Sequence, residues 1–245
     1  MARVRAALLA AGRGVRMGGD IPKTLIPIGD KEPLLHYLLE GLRRAGVDDL
    51  MIVTGYKPKM VQEFVGERWE GEATFVWNAR FASWGNFHSV RMALDQSPGF
   101  DLLVVNSDIV VHPDVYRRAT TKQGELVLAV QRRQHLEPED MRVQLDPDRV
   151  VSVSKELHMA RSHGEFCGVS LLRGRAHRVY SDISSAWEWR ADTGGYYEDV
   201  YNRMVGSVDV RAVPVAAGEY AEVDVPDDAD TAATVIERHF QTSAA

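Results

Sequence analysis

Near its start the chain carries Leu9-Ala10-Ala11-Gly12-Arg13-Gly14-Val15-Arg16-Met17, and five residues later Pro22-Lys23. Small residues let backbone N–H groups come close to a polyphosphate, and Arg16 and Lys23 can neutralise its charge. Two acids stand far apart in the sequence but in similar settings. Asp108, after Ser107, follows the apolar run Asp101–Val105, and Asp224 closes a late run just before Pro226. An acid at the carboxyl end of a central strand sits where open α/β sheets bind ligands. Two carboxylates from different strands suit Mg²⁺, which takes few protein oxygens and completes its shell with phosphate oxygens and water. Taken alone, an aspartate in such a place serves equally well as a cap or turn residue. Asp227 and Asp228 read as first-turn acids of a helix, and Glu198 and Asp199 as structural.

Three readings of the glycine segment compete. A dinucleotide-binding turn needs Gly or Ala where Met17 stands and an acid ending the second strand, which instead closes Val53-Thr54-Gly55. A Walker A loop needs Gly-Lys-Ser/Thr, which is absent. The third is an ordinary strand-to-helix turn using glycine for its geometry. The added Arg16, Met17 and Pro22-Lys23 favour a polyphosphate cradle over that turn.

Alternating elements must position these groups. Val4–Ala10, Leu50–Thr54, Ala73–Trp77 and Asp101–Val105 read as strands. Pro33–Ala45, with its leucines on one face and Gly46 as a stop, reads as a helix, as do Pro58–Val65 and Asn86–Leu94. Such alternation implies a parallel sheet covered on both faces. The second half mixes strands at Leu126–Gln131, Glu165–Leu172 and Val208–Val213 with helices at Arg175–Ser184, Tyr197–Val205 and Pro226–Phe240. Asp146-Pro147-Asp148 is a turn signature between Arg142–Leu145 and Val150–Ser154, hence a hairpin. No linker composition separates the halves, so one domain over 1–245 is expected.

Of 245 residues, 45% are hydrophobic and 26% charged, enough for a sizeable core. A net charge of -6 argues against general nucleic-acid affinity. One cysteine, Cys167, excludes an intrachain disulfide and fits the cytoplasm. No apolar run is long enough to span a bilayer. A signal peptide is the rival of the first strand, but its apolar stretch is short and runs into Gly-Arg-Gly. No zinc motif and no Gly-x-Ser-x-Gly elbow is present.

The segment Leu9–Met17 with Pro22-Lys23 resembles the signature of sugar-phosphate and related nucleotidyltransferases, and the likeness extends over nearly the whole chain. Ile52-Val53-Thr54-Gly55-Tyr56 is similar to the family's second strand. Asn78-Ala79-Arg80-Phe81 followed by Trp84-Gly85-Asn86-Phe87-His88-Ser89 resembles a segment of bacterial choline-phosphate and 2-aminoethylphosphonate cytidylyltransferases. That subgroup commonly has Asn where Gly85 stands and Tyr where His88 stands. Glu139–Val143, Ser154–Leu157, Glu165–Val169, Tyr196–Asp199 and Glu222–Asp228 resemble the same subgroup.

The resemblance implies a single Rossmann-like α/β nucleotidyltransferase domain with a mixed, mostly parallel central sheet and helices on both faces. It implies Mg²⁺-dependent transfer of CMP from CTP to a small phosphonate or phosphomonoester, with release of pyrophosphate. Cytosine follows only from the subgroup likeness. Arg16, Lys23 and Lys155 would act at the reacting phosphates. Leu9, Ala10, Ala11, Gly12, Gly14, Asn78 and Ser89 would hold the nucleotide, and Asp108 and Asp224 the metal. Trp84, Asn86, His88, Arg142 and Tyr197 would meet the acceptor. Phe87, Trp187, Trp189 and Tyr196 are further candidates for an aromatic acceptor wall, although aromatics more often pack in cores. Arg80, His88, Arg91 and Arg142 would suit an acceptor more anionic than phosphocholine, such as a carboxylated phosphonate. No nucleic acid or membrane partner is expected, and a homodimer stays open. The rival activities are a sugar-1-phosphate nucleotidyltransferase and a catalytically silent nucleotide-binding domain of the same fold, against which intact Arg16, Lys23, Asp108 and Asp224 count.

Overall fold

In a computed structural model of the chain, which describes residues 3–14 and 20–240, the apolar runs lie side by side as strands. β1 (Arg3–Ala10), β2 (Asp49–Thr54), β3 (Glu72–Trp77) and β4 (Phe100–Asn106) are parallel neighbours in the order β3-β2-β1-β4, with Leu8 opposite both Ile52 and Val105. Parallel neighbours need crossover connections. Helices α1 (Leu34–Arg44), α2 (Pro58–Arg68) and α3 (Phe87–Asp95) lie within them. The sheet continues through β9 (Gly164–Leu172), β6 (Leu126–Gln131), β10 (Val210–Val215), β8 (Arg149–Ser154) and β7 (Arg142–Asp146). β9 and β8 run against the other seven strands, so the sheet is mixed and mostly parallel. β7 also pairs with the start of β9, Arg142 opposite Glu165, so this end of the sheet curls back on itself.

Strand side chains alternate between the two faces. Ala7, Met51, Val53, Leu102 and Val104 pack under α3, α5 (Arg175–Trp189) and α6 (Tyr197–Met204). Ala6, Leu8, Leu50, Ile52, Leu103 and Val105 pack under α1, α2 and α4 (Pro113–Thr121). Burial on both faces is why these strands read as continuous apolar runs. Each fully buried leucine of α1 contributes about 1.5–3 kcal/mol of transfer free energy, so the helix is held by its apolar face.

A smaller layer positions the site. β5 (Ile109–Val111) and β11 (Tyr220–Glu222) form a two-stranded antiparallel ribbon that packs on α7 (Ala229–His239) through Val110, Ala221, Val223 and Ile236. Neither strand is legible in the sequence, because three residues are too few to show an alternation; the nine-residue α4 is likewise absent from the sequence reading. The closing helix begins as a 3-10 turn at Pro226–Asp228, and α5 runs to Trp189, beyond the expected Ser184. Among the described residues, no helix is long and apolar enough to cross a membrane.

Candidate active site

The ribbon brings two distant acids together. Asp108 lies between β4 and β5, and its backbone carbonyl accepts the Val223 N–H at 2.8 Å. Asp228 Oδ2 in turn accepts the N–H groups of Asp224 (2.7 Å) and Val225 (2.9 Å), fixing the backbone that carries Asp224. Glu222, two residues before Asp224, presents a third carboxylate. One oxygen from each of Asp108, Glu222 and Asp224 lies within 4.8 Å of the others. Asp108 Oδ1 is buried and has no hydrogen-bond partner. The donor set, three hard oxygens in one cluster, fits a hard divalent cation such as Mg²⁺.

Lys23, in the 3-10 turn Lys23–Leu25, inserts into this cluster. Its ammonium donates to Asp108 Oδ2 at 3.1 Å and to Asp224 Oδ1. Burial alone would lower the lysine pKa, but the Asp108 and Asp224 carboxylates outweigh it and raise it. Desolvation and the charges of Asp108 and Asp224 push the Glu222 carboxyl up to about 8, although much of the residue is open to solvent.

Two cavities meet at this cluster. The first, about 210 Å³, lies over the carboxyl ends of β1, β3 and β4. Leu9, Ala11, Gly12, Asn78 and Ser89, expected at the nucleotide, line it together with Lys23, Asp108 and with Trp84 and Asn86, which were expected at the acceptor; Phe81, Gly85, Asn106 and Ser107 complete the lining. Ser107 Oγ donates to the Leu9 carbonyl at 2.8 Å, tying β4 to the glycine segment. Asn78 Nδ2 donates to Ser89 Oγ at 3.0 Å, joining the end of β3 to α3. Ala10 is in the core, 3% exposed. Gly14 has φ +64°, and a Cβ there would overlap the Lys23 side chain, so this segment lies directly on the lysine. Arg16 lies outside the described residues.

The second cavity, about 710 Å³, opens on the other side of Asp224. Glu139, Asp140, Glu156, Glu165, Glu222, Asp224 and Asp228 line it, with Arg133 and Lys155 as the only cations among the lining residues. Glu165 faces Arg133 at 2.9 Å, yet burial pushes its carboxyl up to about 7. The Lys155 ammonium sits 5.4 Å from the centre of the Tyr196 ring. A third groove, along Val130, Leu145 and Ala212–Ala217, shares no lining residue with either cavity.

Residues 6–173 match the MobA-like NTP transferase domain. The chain belongs to this family. It is 32% identical over 136 residues to the CMP-5'-(3-aminopropyl)phosphonate synthase of Streptomyces rubellomurinus, covering 53% of this chain and 21% of that protein. It is 27% identical over 122 residues to the choline-phosphate cytidylyltransferase of Streptococcus pneumoniae, covering 49% of this chain and 51% of that one. The chain thus spans about a fifth of the first and about half of the second. The structure of the inositol-1-phosphate CTP transferase from T. maritima superposes with a TM-score of 0.81 at 20% identity, over 97% of this chain and 98% of that one. The fold is accordingly that of a nucleotidyltransferase.

Within this MobA-like transferase, several residues expected at the acceptor are occupied elsewhere. Arg142 is 6% exposed and donates to the carbonyls of Leu157 (2.8 Å), Glu137 (2.9 Å) and Pro138 (2.9 Å), so it clamps the flanks of the β7–β8 hairpin. Tyr197 is fully buried; its hydroxyl donates to Asn106 Oδ1 at 2.8 Å and its N–H to Asn86 Oδ1 at 2.9 Å. Asn86 therefore lines the cavity while capping α6. His88 Nδ1 is 2.8 Å from Glu188, which also pairs with Arg91, and Arg80 lies over the Trp84 ring. Of the four cations that pointed to a carboxylated acceptor, Arg142 thus stands apart, and Arg80, His88 and Arg91 gather around Trp84 and Glu188, which already engage them. Counting charges along the sequence leaves out the carboxylates and carbonyls that engage them. Of the aromatic wall, Phe87, Trp187 and Tyr197 are core and Trp189 is exposed; Trp84 lines the first cavity.

Gly85, where the resembling subgroup has Asn, has a local cause. A Cβ there would collide with the Gly195 carbonyl oxygen, and the Gly85 N–H donates to the Thr193 carbonyl at 2.7 Å. The Trp187 ring in turn leaves no room for a Cβ at Gly195.

Proposed function

We propose that this nucleotidyltransferase is a Mg²⁺-dependent cytidylyltransferase. It would transfer CMP from CTP to a small acceptor with a phosphonate or phosphate at one end and a cationic amine at the other. The observation that carries this reading is the meeting of two cavities at Lys23, Asp108 and Asp224, one built of backbone and short side chains, the other crowded with carboxylates.

An acceptor phosphonate or phosphate oxygen is already anionic. It forms a bond to the α-phosphorus of CTP while the bond from that phosphorus to the pyrophosphate oxygen breaks, and no proton has to move. The barrier falls through alignment and charge neutralisation. Asp108, Glu222 and Asp224 are the residues that would hold Mg²⁺, which supplies positive charge at the phosphates. Lys23 balances charge at the α-phosphate, and Lys155 stands on the acceptor side to meet the incoming anion. Leu9, Ala11, Gly12, Asn78 and Ser89 surround the nucleotide, and the role at the leaving pyrophosphate is kept for Arg16 on the family resemblance alone. The carboxylates of the larger cavity attract an ammonium and repel a second carboxylate. The aminopropylphosphonate and choline-phosphate relatives, whose acceptors both bear a cationic nitrogen, support this choice and favour CTP.

A hexose 1-phosphate is the second reading, because carboxylates also accept hydrogen bonds from sugar hydroxyls and about 710 Å³ would admit one. Pyrophosphate release measured for four NTPs against 2-aminoethylphosphonate, 3-aminopropylphosphonate, phosphocholine and glucose 1-phosphate decides between them. The highest kcat/KM is expected for CTP with a cationic acceptor. The highest value for glucose 1-phosphate selects the sugar reading, and no product with any pair selects a silent nucleotide-binding domain.

A further inference from the structure

Lys23 occupies the place a divalent cation would take. Its ammonium bridges Asp108 and Asp224, two of the three carboxylates whose oxygens cluster within 4.8 Å. A cation held by the same oxygens at about 2.0–2.1 Å would leave no room for an ammonium between them and would repel it. The backbone around Lys23 is pinned: Gly14 lies against its Cβ, and the Leu25 N–H donates to the Pro22 carbonyl at 2.8 Å. The four-carbon stem, by contrast, has freely rotating bonds, and the same side chain lines the nucleotide-side cavity.

We propose that Lys23 is an exchangeable internal counter-ion, which bridges Asp108 and Asp224 in the metal-free protein and is released to the nucleotide phosphates when a divalent cation takes its place. The inference rests on the metal reading given above. The ammonium cannot serve both places. Phosphates that draw it away open the carboxylates, and a cation that displaces it frees a positive charge for the phosphates. Cation and nucleotide then favour each other's binding by the same factor. Lysine also keeps three acids from repelling one another before either ligand arrives.

Mn²⁺ binding followed by electron paramagnetic resonance, with and without a non-hydrolysable CTP analogue, tests this in the native protein and in Lys23→Gln. Without nucleotide, the variant should bind Mn²⁺ about tenfold more tightly than the native protein, within the usual span of such couplings. Its further gain on adding the analogue should be smaller than the native gain. Equal or weaker Mn²⁺ binding by the folded variant overturns the exchange. A second measurement needs no variant: in native protein with ¹⁵N-labelled lysine, the Lys23 ammonium signal should be protected from hydrogen exchange and lose that protection on adding Mg²⁺ alone. An ammonium unchanged at saturating Mg²⁺ also overturns it. Failure of the native protein to take up Mn²⁺ even with the analogue sinks the metal reading itself, and the exchange with it.

Discussion

The two cavities that flank Lys23 are built differently. On the glycine side, much of the lining comes from the carboxyl ends of parallel strands: Leu9, Ala11 and Gly12 at the end of β1, Asn78 after β3, Ser107 and Asp108 after β4. On the acidic side it is gathered from separate stretches: Arg133, Glu139 and Asp140 between β6 and β7, Lys155 after β8, Glu165 in β9, and Glu222 and Asp224 around β11. The first is shaped by close steric approach, the second by crowded charge. A polyphosphate presents the same oxygens whichever base it carries, so geometry suffices to hold it. An acceptor varies in its remote end, and single charges are enough to choose among acceptors.

The largest effect is expected at the junction. Asp108→Ala or Asp224→Ala should lower kcat by about a hundredfold or more, the order seen when a main charge stabiliser is lost, with an unchanged circular dichroism spectrum. Near-native turnover in a folded variant would remove that carboxylate from the site and with it the link between the cavities. Lys23→Ala should lower kcat more than it raises the KM for CTP, because the charge it meets grows in the transition state. A change confined to KM would make Lys23 a binding residue only.

Two costs of the fold around the cavities can be measured as stability. In α6, burial pushes the Glu198 carboxyl from 4.5 up to about 7. Between those two pH values the folded protein keeps a proton that the unfolded chain has released. Stability therefore falls as pH rises through this window, and the penalty is complete above about pH 7. Glu198→Gln removes the titration and should stabilise by about 2 kcal/mol at pH 8 and hardly at all at pH 4. Urea midpoints that rise equally at both pH values would show that the gain is not electrostatic. On the glycine side, Gly85→Ala should destabilise by about 1–2 kcal/mol at either pH, through collision with Gly195. An unchanged midpoint would mean that the Asp192–Gly195 segment yields without cost.

The smallest effect concerns acceptor choice. At equal concentrations, 2-aminoethylphosphonate should be preferred to phosphonoacetate by about tenfold in kcat/KM, which corresponds to about 1.4 kcal/mol. The double substitution Glu139→Gln with Asp140→Asn should narrow that preference while leaving the KM for CTP unchanged. A KM for CTP that moves in parallel would break the division between the two sides.

That division also marks what the sequence reveals. The glycine segment, Pro22-Lys23, Asp108 and the parallel half of the sheet are legible because each is a local pattern: small residues after an apolar run, or an acid at a strand end. Glu222 was missed although its spacing from Asp224 is that of a strand, because β11 has only three residues and its partner β5 lies far away in sequence. Glu165 looked like one more residue of an apolar strand, and only the curled end of the sheet turns it towards Arg133 and Glu222. Arg142 and His88 misled in the opposite sense. A sequence shows a charge but not the partners that engage it, and here those partners lie on other elements.

Arg142 has a further consequence. Its three carbonyl contacts reach both flanks of one hairpin, Glu137 and Pro138 before β7 and Leu157 after β8. The stretch bearing Glu139 and Asp140 and the stretch bearing Lys155 are thereby cross-braced at a single bolt. Side chains on a braced plate can be exchanged one at a time while their Cα positions persist. On the proposed reading, acceptor preference would therefore be open to drift by point substitution without refolding, whereas at the bolt itself even a conservative Lys would give up the fork that holds three carbonyls at once.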